Sequence, residues 1–182
     1  MGLAASCLAN RHSCVNPWLF INFPEEIVQP LADYGGGSPC GSLFVDESTL
    51  PDELAHSLYT CDWGRSVIYR HPLTPNGAGF TAEQESFVEL PRPTDMEIDA
   101  AGKYAYVSDE AAYASNKGMI YVIDVDPSSP TFNTMVRAIQ VDGAPKGLRQ
   151  LALDADGSKL YVAAPNREGY GAPDPAFPNS HI

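Results

Sequence analysis

The sequence predicts an all-β fold built from repeated four-stranded antiparallel sheets. Three observations carry that expectation: a duplicated strand-turn-strand motif, an upstream set of strand-forming segments with the same grammar, and the scarcity of helical patterning. The duplicated motif reads "DAAGKYAYV" at 99–107 and "DADGSKLYV" at 154–162. With a shift of 55 positions, Met96, Ile98, Asp99, Ala100, Gly102, Tyr106 and Val107 fall on Leu151, Leu153, Asp154, Ala155, Gly157, Tyr161 and Val162. Each copy alternates apolar and polar residues, turns at an Asp with a Gly three residues on, and resumes in a β-rich run, which is the pattern of a hairpin. Only "EEIVQPLAD" and "TAEQESFVEL" offer helical candidates, and Pro30 interrupts the first.

Residues 1–39 carry no assignment beyond one short strand within "PWLFINFPEE". The first full set of strands follows in "GSLFVDE" (41–47), "HSLYTCDW" (56–63), "SVIYRHPL" (66–73) and "ESFVEL" (85–90), with "STLPDELA" as a long first turn. The second set starts with the hairpin around Asp99. It continues through "GMIYVIDV" (118–125), a Pro/Ser turn, and "TMVRAIQVD" (134–142), all rich in β-branched and aromatic residues. The third begins with the hairpin around Asp154 and ends in the Pro- and Gly-rich "PNREGYGAPDPAFPNSHI". The chain therefore divides at 40–90, 91–143 and 144–182, the last copy being incomplete.

A repeat of roughly 40 to 50 residues with four short strands is the blade of a β-propeller, in which twisted sheets stack face to face around a channel. The expected fold is a partial β-propeller of about two and a half four-stranded antiparallel blades, whereas closed propellers use about four to eight. The chain is thus read as a segment of a larger propeller. An unclosed array leaves open blade edges, which invite self-association.

"PRPTDMEIDAAGKYAYVSD" and "GLRQLALDADGSKLYVAAPN", with "IYVIDVD", resemble the NHL and YVTN-type repeats of bacterial β-propellers, and "LYTCDWGRSVIYRHPL" is similar to the blades of soluble quinoprotein sugar-dehydrogenase-like propellers. The resemblance covers residues 40–165 and falls on positions that build blades. It implies a propeller and, on the quinoprotein side, an oxidoreductase using pyrroloquinoline quinone (PQQ) and calcium. His71, in "YRHPL", lies at the outer end of a third strand, away from the inferred binding face, so no catalytic residue is carried over.

Eleven basic against twenty-three acidic residues give a net charge of −12, and no basic run is interleaved with aromatics. That field repels phosphate backbones and argues against nucleic acid as a partner. No stretch approaches the ~18 apolar residues of a membrane span. Gly2 and Ser6 satisfy a myristoylation pattern that short sequences often match by chance.

In a propeller, the loops joining second to third strands, and fourth strands to the next blade, gather on one face. Here those loops offer carboxylates Asp62, Asp109 and Glu110, cations Arg65 and Arg167, and the ring of Trp63 as candidate binding residues, with Arg92 and Lys146 between them. Mixed charges beside a flat aromatic suit a polar small molecule, a sugar or a protein segment. The sequence contains no G-x-S-x-G, and none of its four histidines stands in the setting of a general base. "DADGSK" lacks the later ligands of a calcium loop and reads as a plain hairpin turn. The expected function is accordingly a ligand- or protein-binding scaffold, non-enzymatic as this chain stands, with no cofactor and no metal, in a periplasmic or extracellular setting. The alternative is part of a PQQ-dependent sugar dehydrogenase-like enzyme.

Four cysteines, Cys7, Cys14, Cys40 and Cys61, lack the pairing of a zinc site. An even number suits disulfides in an oxidising compartment, and equally four thiols in a reducing one. Cys40 starts a first strand and Cys61 ends the second, so a hairpin brings them close enough to be a disulfide candidate.

Overall fold

The fold is described from a computed structural model, which covers residues 30–45, 51–52, 54–110, 118–141 and 147–164. The chain divides into two compact units, Met1–Gly36 and Gly37–Ile182. In the first, residues 30–36 hold a turn in which the Gly35 N–H donates to Asp33 Oδ1 at 2.8 Å. The strand expected within "PWLFINFPEE" lies outside the described residues.

The second unit is all-β and antiparallel, with no helix among its described residues. A five-stranded sheet comes first: β1 (Pro39–Val45), β2 (Ser57–Asp62), β3 (Val67–Asn76), β4 (Gly79–Ala82) and β5 (Glu85–Glu89). A four-stranded meander follows: β6 (Pro93–Ile98), β7 (Tyr104–Asp109), β8 (Gly118–Asp124) and β9 (Thr134–Val141). Then comes the hairpin β10 (Leu151–Leu153) and β11 (Leu160–Val162). No closed sheet forms among the described residues.

The doubled motif folds twice into one shape. Gly102 N–H donates to the Asp99 carbonyl at 2.9 Å, and Gly157 N–H to the Asp154 carbonyl at 3.0 Å. Both glycines are left-handed, at φ 64° and 69°, which a side chain would make costly. Each aspartate also turns its carboxylate onto the chain ahead: Asp99 Oδ1 accepts from Lys103 N at 2.7 Å, and Asp154 Oδ1 from Lys159 N at 2.9 Å. The paired registers Ile98↔Ala105 and Leu153↔Leu160 complete the match. Asp154 and Asp156 are thus occupied in building a turn, and no cluster of three or more metal-ligating side chains occurs among the described residues.

Alternation along the strands sorts side chains between two cores. Ala105 and Val107 of β7 face the first sheet, where they join Val45, Tyr59, Cys61, Ile68, Met96 and Ile123 in one buried cluster. Tyr106, between them, points the other way, onto a second cluster of Ile120, Leu148, Leu151 and Ala164. The middle sheet is therefore covered on both faces. Tyr59, Ile68, Met96 and Ile123 are essentially without exposed surface, and burial of each such side chain contributes about 2–3 kcal/mol. Tyr59 stacks edge-on against Phe87, with centroids 5.0 Å apart, and its hydroxyl donates to the Leu54 carbonyl. Burial pushes that phenol up to about 12.

The strand expected at 85–90 forms as β5, and the preceding part of "TAEQESFVEL", whose pattern also suited a helix, ends β4. Phe87 is the reason, since a strand places it against Tyr59, and Arg70 holds Glu85 across the ladder at 3.4 Å. In addition, β3 runs on past Pro72 and folds back at Gly77, φ 61°, to pair with β4. The first sheet thereby gains a fifth strand.

Candidate functional site

Antiparallel pairing brings one end of β1, β2, β3 and β5, and of β6, β7 and β8, to a shared edge. Pro39 pairs with Asp62, Asp62 with Val67, and Val67 with Glu89 in the first sheet. Pro93 pairs with Asp109, and Asp109 with Met119, in the second. Residues 90–92 link the two ends, and the Leu148 N–H donates to the Asp109 carbonyl at 3.1 Å, bringing the approach to β10 onto the same edge. The loops at 63–66, 90–92, 110 and 147–150 consequently form one rim.

Asp62 organises the rim at the first sheet. It is fully buried, and its Oδ1 accepts from Ser38 N at 2.8 Å and from Arg65 N at 3.1 Å. Oδ2 has no hydrogen-bond partner among the described residues; the Arg65 Nε stands 3.8 Å away on a side chain 48% exposed. Gly37 packs directly on that carboxylate, and a Cβ there would overlap Oδ2. The Trp63 N–H closes the same corner on the Ser38 carbonyl at 3.1 Å. Two backbone donors held by one carboxylate fix the loop more firmly than neutral acceptors would.

From Trp63 a ladder of charges crosses to the second sheet and beyond. The Arg92 guanidinium lies over the Trp63 ring, 4.6 Å from its centroid, a cation–π contact worth about 0.5–1 kcal/mol at an exposed site. Arg92 itself sits at φ 35°, a conformation that costs a non-glycine residue about 1–3 kcal/mol and concentrates at functional sites. Its carbonyl accepts from the Glu110 N–H at 3.2 Å, and the Glu110 carboxylate pairs with the Arg149 guanidinium. Trp63, Arg92, Glu110 and Arg149 thus stand in sequence along the rim. The indole Nε1 of Trp63 is buried without a partner among the described residues.

Of the expected binding residues, Asp62, Trp63, Arg65 and Glu110 lie on this rim. Asp109 lies just beneath it, buried, its Oδ2 accepting from the Tyr121 hydroxyl at 2.8 Å. That carboxylate and burial together push the Tyr121 phenol well above its ordinary value, burial being the larger cause. Arg167 and Lys146 lie outside the described residues. Arg149 escaped the sequence reading, which placed it in the lead-in to a strand.

Below the rim the two sheets share one frame with different chemistry. Two residues of β1, Cys40 and Gly41, oppose the single residue Cys61, because the register passes from Pro39↔Asp62 to Ser42↔Thr60. In the second sheet Thr94 and Asp95 likewise oppose Ser108. Cys40 Sγ donates to the Pro93 carbonyl at 3.2 Å, and Thr94 Oγ1, at the equivalent position, donates to the Leu148 carbonyl at 3.0 Å. The first bulge therefore reaches the first strand of the second sheet, and the second reaches the segment that leads into β10. Gly41 has no room for a side chain, since a Cβ would meet the Thr94 carbonyl and the Asp95 backbone. Asp95, its counterpart, accepts from Leu151 N at 2.9 Å, and burial raises its carboxyl above the usual range. Cys40 and Cys61 are both free thiols in the structure.

No protein-family model and no curated protein matches the chain. Among the described residues, no helix is long and apolar enough to cross a membrane.

Proposed function

We propose that the chain is a segment of a β-propeller whose strand-end rim binds a polar ligand, a sugar or a polar peptide segment, as a recognition scaffold. The supporting observation is the ladder Trp63–Arg92–Glu110–Arg149, which runs over successive sheets and presents an aromatic face, two cations and a carboxylate along one edge. Apolar sugar faces stack on such a ring while hydroxyls pair with the charges. The left-handed Arg92 backbone supports the same reading, since such conformations concentrate at functional sites. The propeller reading draws on the equivalence of the two sheets and of the two hairpins. Tyr106 packs under the third hairpin, whereas Tyr161, its counterpart, is 47% exposed on the next face.

The test is to screen the full chain against a carbohydrate array and an array of acidic and basic peptides. Hits are then remeasured by calorimetry on Trp63→Ala and Glu110→Gln. A ligand weakened at least tenfold by either change, with the melting temperature little altered, is the expected result. A ligand indifferent to both changes removes the rim as the site.

A further inference from the structure

The thiol pair Cys40 and Cys61 stands where the second sheet carries the hydrogen-bonded pair Thr94 and Ser108. In that second pair, the side-chain oxygens approach to 2.8 Å. At the equivalent bulge of the first sheet, Cys40 Sγ reaches the Cys61 carbonyl at 3.5 Å. Cys61 is fully buried in the core between the two sheets, whereas Cys40 is accessible to solvent. One thiol is thus open to an incoming reagent, and the other waits behind it.

We propose that Cys40 and Cys61 form a cross-strand disulfide by exchange with a low-molecular-weight disulfide, stapling β1 to β2 beneath the rim. The Cys40 thiolate attacks the reagent, one reagent thiolate leaves, and a mixed disulfide forms on Cys40. The Cys61 thiolate then attacks the Cys40 sulfur, the new S–S bond closes, and the second reagent thiolate departs. Two electrons pass to the reagent, and the two protons given up by the cysteines end on its departing thiolates as two thiols. In forming the bond, Cys40 gives up its hydrogen bond to Pro93, so the staple tightens the first sheet and removes one tie to the second. Burial raises both thiols, Cys61 the more, so closure is slow at neutral pH. A reductant must also expel a poor leaving group, so the bond persists once made.

The test uses the full chain, incubated with glutathione disulfide at pH 8.5, quenched with acid, alkylated under denaturing conditions and mapped by mass spectrometry. A linked Cys40–Cys61 peptide is expected, with a melting temperature higher by about 5 °C or more. A Cys40 that stops at the glutathione adduct while Cys61 stays alkylatable, or that links to Cys7 or Cys14, overturns the proposal. The double variant Cys40→Thr/Cys61→Ser, which copies the second sheet's pair, should melt at the same temperature with and without glutathione disulfide. A redox-dependent shift that survives in this variant also overturns the staple.

Discussion

The first and second sheets pose the same geometric problem at their inner strands and solve it with different side chains. Both pair a proline with a buried aspartate, at Pro39↔Asp62 and Pro93↔Asp109, and both bulge immediately after. In the first sheet the bulge holds Cys40 and Gly41, and the neighbouring sheet closes onto bare backbone at the glycine. In the second it holds Thr94 and Asp95, and contact with the third hairpin is polar: Thr94 to the Leu148 carbonyl, Ser108 to the Arg149 carbonyl, Leu151 N–H to Asp95. One interface is held by close approach and a thiol, the other by a hydrogen-bond network. The backbone frame is what the repeat preserves, and the side chains at the seam are free to vary as long as they fill it.

This contrast is easiest to break at Gly41. Gly41→Val drives a branched side chain into the Thr94 carbonyl and the Asp95 backbone, so we expect a loss of 3 kcal/mol or about that in urea unfolding, at the upper end of overpacking costs. Asp95→Gly, at the matching position, should cost less, since it removes one acceptor and creates no clash. Next in size is Asp62→Ala, which strands the Ser38 and Arg65 N–H groups beneath the rim. About 2–3 kcal/mol is expected, and Tyr121→Phe, which deprives Asp109 of one hydroxyl, should cost about 1 kcal/mol by comparison.

A pH titration sharpens the comparison further. Burial raises the Asp95 carboxyl above its ordinary 3.8, so the folded state favours the protonated form. Its contribution is fully present below the unfolded value and is lost as pH rises through the folded value. Asp95→Asn keeps an acceptor for Leu151 N and removes the titration. Relative to wild type, the variant should therefore gain stability as pH rises from below the ordinary 3.8 through the raised folded value, and hold that gain above it. A parallel pair of stability curves would count against burial as the cause. The smallest effect is expected at Arg92→Gly: relief of the left-handed backbone and loss of the cation–π contact oppose each other, leaving a change within about 1 kcal/mol, while binding at the rim should fall sharply.

The hairpins were legible in the sequence because their signals are local. An aspartate, a glycine three residues on and alternating apolar residues specify the turn and both faces at once, and the paired strands fall where those letters do. The strands of the second set, 118–125 and 134–142, were legible for the same reason. The bulges were not. A residue inserted at Cys40 or Thr94 interrupts the alternation without any letter to announce it, so the equivalence of the two seams emerges only from the register. The extension of β3 into β4 carried a signal, Asn76–Gly77, that an expected strand end at 73 obscured. At the rim, Asp62, Trp63, Arg65 and Glu110 could be found because they sit beside turn residues. Arg149 could not, because its partner Glu110 lies far away in sequence and is brought to it only by the stacking of sheets.

The split outer margin of the first sheet bears on how the molecule behaves when crowded. β3 is ten residues long, yet its far side is shared between β5, at Val67–Arg70, and β4, at Leu73–Asn76. A strand arriving from another copy finds two short, kinked borders in place of a straight template. Zipper-like growth therefore has no long runway on that flank. The eight-residue β9, with Met135 and Val136 exposed, offers a longer border on the other sheet, interrupted by the bulge at Val136 and the positive charge of Arg137.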